Sequence, residues 1–138
     1  MGIDIYTPDS NKIVHKTKVD FIKRIIPETI HLVQYDSMIP VVEVSLYFNG
    51  AVYTIDDNEN VSMKIRWGRK YGAPFVIKDI LGCNNSRDKI YFSIDSDMTH
   101  EFGFFNPILE LVVNDNDTQQ RLGSSAMIFE VDENPIQQ

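Results

Sequence analysis

Apolar and polar residues alternate along much of this chain with a period of two, the signature of half-buried strands. The clearest case is "EVSLYFNGAVYTI", Glu43 to Ile55, two alternating runs joined by Asn49-Gly50. Asn-Gly is the preferred pair for a two-residue type I′ turn, because both central residues need positive φ. Such a turn pairs Phe48 with Ala51, Leu46 with Tyr53 and Val44 with Ile55 on one face. The other face pairs Tyr47 with Val52 and Ser45 with Thr54. One face is apolar and the other mixed, as expected of a strand pair packed on one side. Glu43 opposite Asp56 is a like-charge pair, so the ladder is expected to fray there.

The same grammar continues downstream. Val61, Met63, Ile65 and Trp67 alternate with Ser62, Lys64 and Arg66, predicting a strand; Gly68 to Gly72 is a turn, and Pro74 to Lys78 pairs back across it. Ile90, Phe92 and Ile94 predict another strand. Ile108 to Val113 suits a central strand, ended by Asn114 to Asp117. Ala126 to Val131 is the last, stopped by Asn134-Pro135. Within Asp95 to Gly103, DSDMTHEFG, one helical turn is expected, capped by Asp95 or Ser96, with Met98 and Phe102 on one face and Gly103 as C-cap. Short strands at regular spacing predict an all-β fold, an antiparallel β-sandwich with one short helical turn, over residues 31–131.

Residues 1–30 read differently. Thr17 to Asp20 resembles a capping box, with Val19, Ile22 and Ile26 at helical spacing before Pro27, and the same residues also suit an irregular strand. Too apolar for a solvated tail and too interrupted for a second core, this segment is expected to be an N-terminal arm packed on a neighbouring chain or on a larger assembly, becoming ordered only there. Residues 132–138 read as an exit segment, into solvent or a following domain.

A chain of 138 residues suits one domain, and 43% hydrophobic with 24% charged residues is ordinary for a globular protein. No apolar run reaches the roughly 20 residues of a membrane helix, and the first residues lack the pattern of a signal peptide. A formal charge of −7 argues against nucleic acid. Cys83 stands alone, which excludes an internal disulfide and a multi-cysteine zinc site and suits a reducing compartment; its neighbours predict an inert thiol.

No catalytic fingerprint is present, so an enzyme is not expected, nor a cofactor or metal. His15, His31 and His100 lie far apart without ligand spacing. An enzyme of unrecognised type needs a pocket uniting Asp97, His100 and Glu101. Asp56 to Asn60 imitates a calcium loop, but Val61 and Trp67 stand where glycine and a bidentate glutamate belong. Arg66, Arg69 and Lys70, with Tyr71, form the densest positive spot on an acidic chain and are the candidate partner contacts. Trp67, Tyr71 and Tyr91 are candidate stacking residues for the alternative reading, a carbohydrate-binding module, although parity turns Trp67 inward with Ile65.

Four stretches in order, "VQYDSMIPVVEVSLYFNGAVYTI", "VSMKIRWGRKYGAPFVI", "DMTHEFGFFNPILELVV" and "GSSAMIFEVDENPI", resemble the N-terminal domain of phage baseplate upper proteins and related tail and head-fibre components. The match runs from about residue 30 onward. It is carried by Tyr35-Asp36, Asn49-Gly50, Lys70-Tyr71-Gly72, Met98 to Gly103 and Asn134-Pro135-Ile136, the third departing from the family's aspartate-containing turn. The resemblance implies a β-sandwich adaptor, made in the host cytoplasm and built into the virion, that docks fibre or receptor-binding modules. Its implied partners are other virion structural proteins and copies of itself, commonly as a trimer, with no catalytic residues.

Overall fold

The computed structural model describes residues 2–57, 60–69 and 76–135. Its elements in chain order are β1 (Ile13–Asp20), β2 (Ile30–Val33), β3 (Pro40–Phe48), β4 (Ala51–Val52), β5 (Val61–Trp67), β6 (Val76–Asp79), β7 (Gly82–Cys83), β8 (Lys89–Ser93), α1 (Ser96–Thr99), β9 (Gly103–Phe105), β10 (Ile108–Asp115), β11 (Thr118–Gly123) and β12 (Phe129–Asp132). They build three sheets: β1-β3-β8-β7 with β4 on β3, then β11-β10-β5-β6, then β2-β12-β9. The all-β sandwich expected from the alternation is what forms. It is mixed rather than purely antiparallel, since β1 runs parallel to β3 and β2 parallel to β12.

One core lies between the sheets. β3 and β8 contribute Val44, Leu46, Ile90 and Phe92; β5 and β10 contribute Met63, Ile65, Trp67 and Leu109; β2, β9 and β12 contribute Leu32, Phe105 and Phe129. Trp67 joins them: its ring centroid lies 5.3 Å from that of Phe105 and 4.9 Å from that of Phe129, and Phe129 in turn meets Phe92 at 6.2 Å. Each such side chain is worth about 1.5–3 kcal/mol on burial. β5 shows the cause in miniature, with every odd position from Val61 to Trp67 buried and every even one half-exposed.

The Asn49-Gly50 turn forms with both residues at positive φ, 52° and 86°, and sets the expected register of Phe48 on Ala51 and Tyr47 on Val52. Beyond Tyr53, whose N–H still donates to Leu46 O at 2.9 Å, the ladder stops. Val44 does not pair with Ile55; it pairs with Ile90, because β8 occupies that edge of β3 from Val41 to Ser45. Ile55 turns to donate to Arg87 O and is buried.

The N-terminal segment corrects the expectation of an arm. Residues 13–20 are a full strand of the first sheet, and Val19, Phe21 and Ile30 enter the core. Upstream, Cys83 N donates to Asp4 O at 2.9 Å and Tyr6 N to Cys83 O at 2.8 Å, so residues 4–6 lie along β7. Ile3 is buried there. The helical reading of Val19, Ile22 and Ile26 gives way to β1, because Ile13 to Asp20 finds an open edge of β3 to pair with. In the 95–103 segment α1 is one turn with Met98 buried, but Phe102 is exposed, and Gly103 opens β9 instead of capping the helix.

Candidate interaction surface

Asp20 ends β1 and shapes an open groove beside it. Its buried carboxylate accepts from Ile22 N and Lys23 N, both at 2.8 Å, and from Asn49 N at 3.0 Å and Gly50 N at 2.8 Å. Ser125 is tied to its backbone, donating through N–H to Asp20 O and accepting from Asp20 N. Burial pushes the Asp20 carboxyl pKa up, but the four N–H donors outweigh it and hold the group at about 2.

Turned by this anchor, the chain sends Phe21 inward, where it meets Tyr53 edge-on at 5.6 Å. The following residues point out. They border an open groove of about 900 Å³, closed on its other side by Phe104, Asn106, Ile108 and the Gly123–Ala126 stretch. Ile22, Ile26 and Phe104 in this groove are 55%, 83% and 56% exposed. Exposed apolar residues lining one groove make it a candidate contact surface. Lys23 and Arg24, both exposed, give its rim positive charge on a chain of net charge −7.

The residues singled out from the sequence fare unevenly. Arg69 donates to Phe102 O at 3.2 Å and Phe104 O at 3.3 Å, pairs with Glu101 at 3.3 Å, and lies 4.5 Å over the Phe105 ring. Arg66 faces Glu110 at 3.7 Å, and Arg121 faces the same carboxylate from the other side. Both predicted arginines are thus engaged within the chain, and Arg69 fixes the start of β9, which carries Phe104. Lys70 and Tyr71, with Gly72 of the predicted turn and Pro74–Phe75 of the strand expected after it, lie outside the described residues. So do Asn58 and Glu59 of the calcium-like stretch and Ile136 of the exit segment.

Trp67 is fully buried and its Nε1–H donates to Met98 O at 3.1 Å. Tyr91 is also buried, its hydroxyl donating to Glu43 Oε2 at 2.9 Å, and burial together with that carboxylate raises its pKa to about 12. Neither ring is offered to a sugar, which removes both as stacking platforms. His100 and Glu101 approach to 3.8 Å on an open surface, and His100 Nδ1 meets the backbone oxygen of Asp97, not its carboxylate. That geometry does not unite the three side chains in a pocket. Cys83 is buried, and burial raises its pKa, as an inert thiol requires.

Sequence reasoning missed the groove, because its lining comes from segments about a hundred positions apart, and missed a second cluster. His31, Glu130 and Asp132 place ligand-type atoms within 4.8 Å of one another on the outer face of the third sheet. The alternation of Glu130 and Asp132 about buried Val131 put both acids on one face; their meeting with His31 needed the β2–β12 pairing.

No family model matches the chain, and no curated protein matches it. Among solved structures it is similar to the N-terminal domain of phage TP901-1 ORF48, with a TM-score of 0.67 and 7% sequence identity. The likeness covers 86% of this chain and 98% of that one. At that identity it speaks for the fold, an all-β sandwich shared with a phage protein domain.

Proposed function

We propose that this chain is a structural adaptor of a phage virion, assembling with copies of itself and with other virion proteins to dock a fibre or receptor-binding module. The observation that carries the reading is the backbone likeness to a domain of a phage protein over nearly the whole chain. The groove supports it. Ile22, Ile26 and Phe104 offer an apolar seat with a basic rim, and the remainder of an acidic chain is the complementary occupant, so a second copy is the expected neighbour. A closed ring of copies, a trimer by the sequence resemblance, also covers the free edge of β1. The role is scaffolding, not catalysis.

Two measurements test it. Light scattering on the purified chain, alone and mixed with the proteins encoded beside it, is expected to show a homo-oligomer or a stable mixed complex. Mass spectrometry of gradient-purified particles is expected to find the chain in the virion. A chain that stays monomeric in every mixture and is missing from the particles overturns the proposal.

A further inference from the structure

The third sheet carries a three-ligand cluster that the adaptor reading does not use. β2 and β12 are parallel in a register that sets Glu130 beside His31 and Asp132 beside Val33. Ile30, Leu32, Phe129 and Val131 point into the core, so the alternate residues His31, Glu130 and Asp132 share the outer face. His31 Nδ1 lies 3.2 Å from Glu130 Oε1 and 4.0 Å from Asp132 Oδ2. Among the described residues, neither carboxylate has a lysine or arginine partner within ion-pair distance.

That arrangement gathers two carboxylates around one imidazole nitrogen. Two carboxylates two positions apart on one strand face repel each other, and the imidazole nitrogen aimed at them carries a lone pair unless a proton or a cation sits there. A metal bonded at about 2.0–2.2 Å to one imidazole nitrogen and two carboxylate oxygens needs ligand atoms roughly 3–3.5 Å apart. The His31–Glu130 separation already has that value, and a rotamer adjustment of Asp132 supplies the other. The backbone under all three is fixed by core packing, so binding orders side chains alone.

We propose that His31, Glu130 and Asp132 form a binding site for a divalent first-row transition metal of the zinc or manganese kind. The imidazole selects against magnesium and calcium, which take oxygen ligands, and three protein ligands leave positions for water or a side chain from a neighbouring subunit. Bound there, the ion bridges β2 to β12 and pins the last strand to a segment near the other end of the sequence.

Isothermal titration of the full chain, stripped with chelator, with Zn²⁺, Mn²⁺ and Mg²⁺ tests this. One saturable Zn²⁺ per chain is expected, with a rise in Tm that chelator reverses and a much weaker response to Mg²⁺. Glu130→Gln and Asp132→Asn are expected to weaken Zn²⁺ binding by at least the roughly 10–100-fold typical of losing an outer-sphere partner, and His31→Ala to abolish it. All three variants keep the Tm of the metal-free chain, so a lost response is not lost folding. Absence of saturable Zn²⁺ binding overturns the proposal. Equal responses to Zn²⁺ and Mg²⁺, or binding that survives His31→Ala, overturn it too.

Discussion

Gly50 N donates to Asp20 Oδ2 at 2.8 Å across thirty positions of sequence, while Asn49 N donates to the other oxygen at 3.0 Å. One carboxylate therefore holds the tip of the β3–β4 hairpin to the end of β1. It also starts the outward turn that carries Ile22. The positive φ of Gly50 presents that N–H to the carboxylate, so turn chemistry and anchor are one device.

The Asp20 carboxyl is held at about 2 in the folded chain against an ordinary value of 3.8. A depressed folded pKa means stability that is complete above the unfolded value and lost as pH falls through the folded one. Stability is thus expected to fall between about pH 5 and pH 2. Asp20→Asn, which presents an amide to N–H donors, is expected to lower Tm by several degrees at pH 7. The gap to the wild type should narrow as acid protonates the native carboxylate. Thermal melts at half-unit pH steps check both, and a variant with unchanged Tm at pH 7 would refute the anchor.

Gly82 lets the N-terminal strap lie against β7. A Cβ there stands 2.6 Å from Asp4 O and 2.7 Å from Tyr6 Cβ, both hard contacts. Gly82→Ala is expected to cost about 1–3 kcal/mol, as overpacking does. Denaturant titration measures the loss, and hydrogen exchange should accelerate first at Tyr6 and Cys83, whose amides make the strap bonds.

Trp67→Phe removes the donor to Met98 O and leaves space among Phe105 and Phe129. About 2–4 kcal/mol of stability should be lost, from the unpaired carbonyl and the void together. Native Trp67 fluorescence is expected to be blue-shifted and insensitive to sugars. Quenching by a soluble glycan at neutral pH would restore the carbohydrate-binding reading.

The strands were legible where side chains alternate: β5, β8 and the hairpin register next to its turn follow from local pattern, whereas the expected Val44–Ile55 and Ser45–Thr54 pairs give way to β8. β11 was not, because Thr118 to Gly123 is polar and almost wholly exposed; only its pairing with β10 makes it a strand. β1 was misjudged for a related reason. Its burial pattern is weak until Val19, since it is an edge strand that borrows its order from β3. The groove and the His31 cluster were hidden more deeply. Each joins residues from distant parts of the chain: the cluster needs the parallel β2–β12 pairing, and the groove needs the end of β1 tied to Ser125, 105 positions away.

Deleting residues 1–28 is where the arm expectation and the structure part most sharply. An arm packed on a neighbour can be cut away with little loss of thermal stability. Here the cut removes β1, the Asp20 anchor and the core side chains Val19 and Phe21, along with buried Ile3. The truncated chain is expected to lose its cooperative melt and near-ultraviolet dichroism. Retention of a sharp transition near the native Tm would return the segment to the status of an arm.

Ile26 separates folding from assembly. At 83% exposure its side chain contributes little to the isolated chain, while its place in the groove puts it under any subunit seated there. Ile26→Asp is therefore expected to leave Tm within about 0.5 kcal/mol equivalent of the wild type, the usual range for surface changes. The same change buries an unpaired carboxylate in the interface and should weaken self-association by at least tenfold, a cost of about 1.4 kcal/mol. Phe104→Asp, on the opposite wall of the groove, should do the same. Ile77→Asp, at a half-exposed isoleucine on β6 away from the groove, should not. Sedimentation over a concentration series separates the outcomes: if Ile26→Asp and Ile77→Asp behave alike, the groove is not the contact between copies.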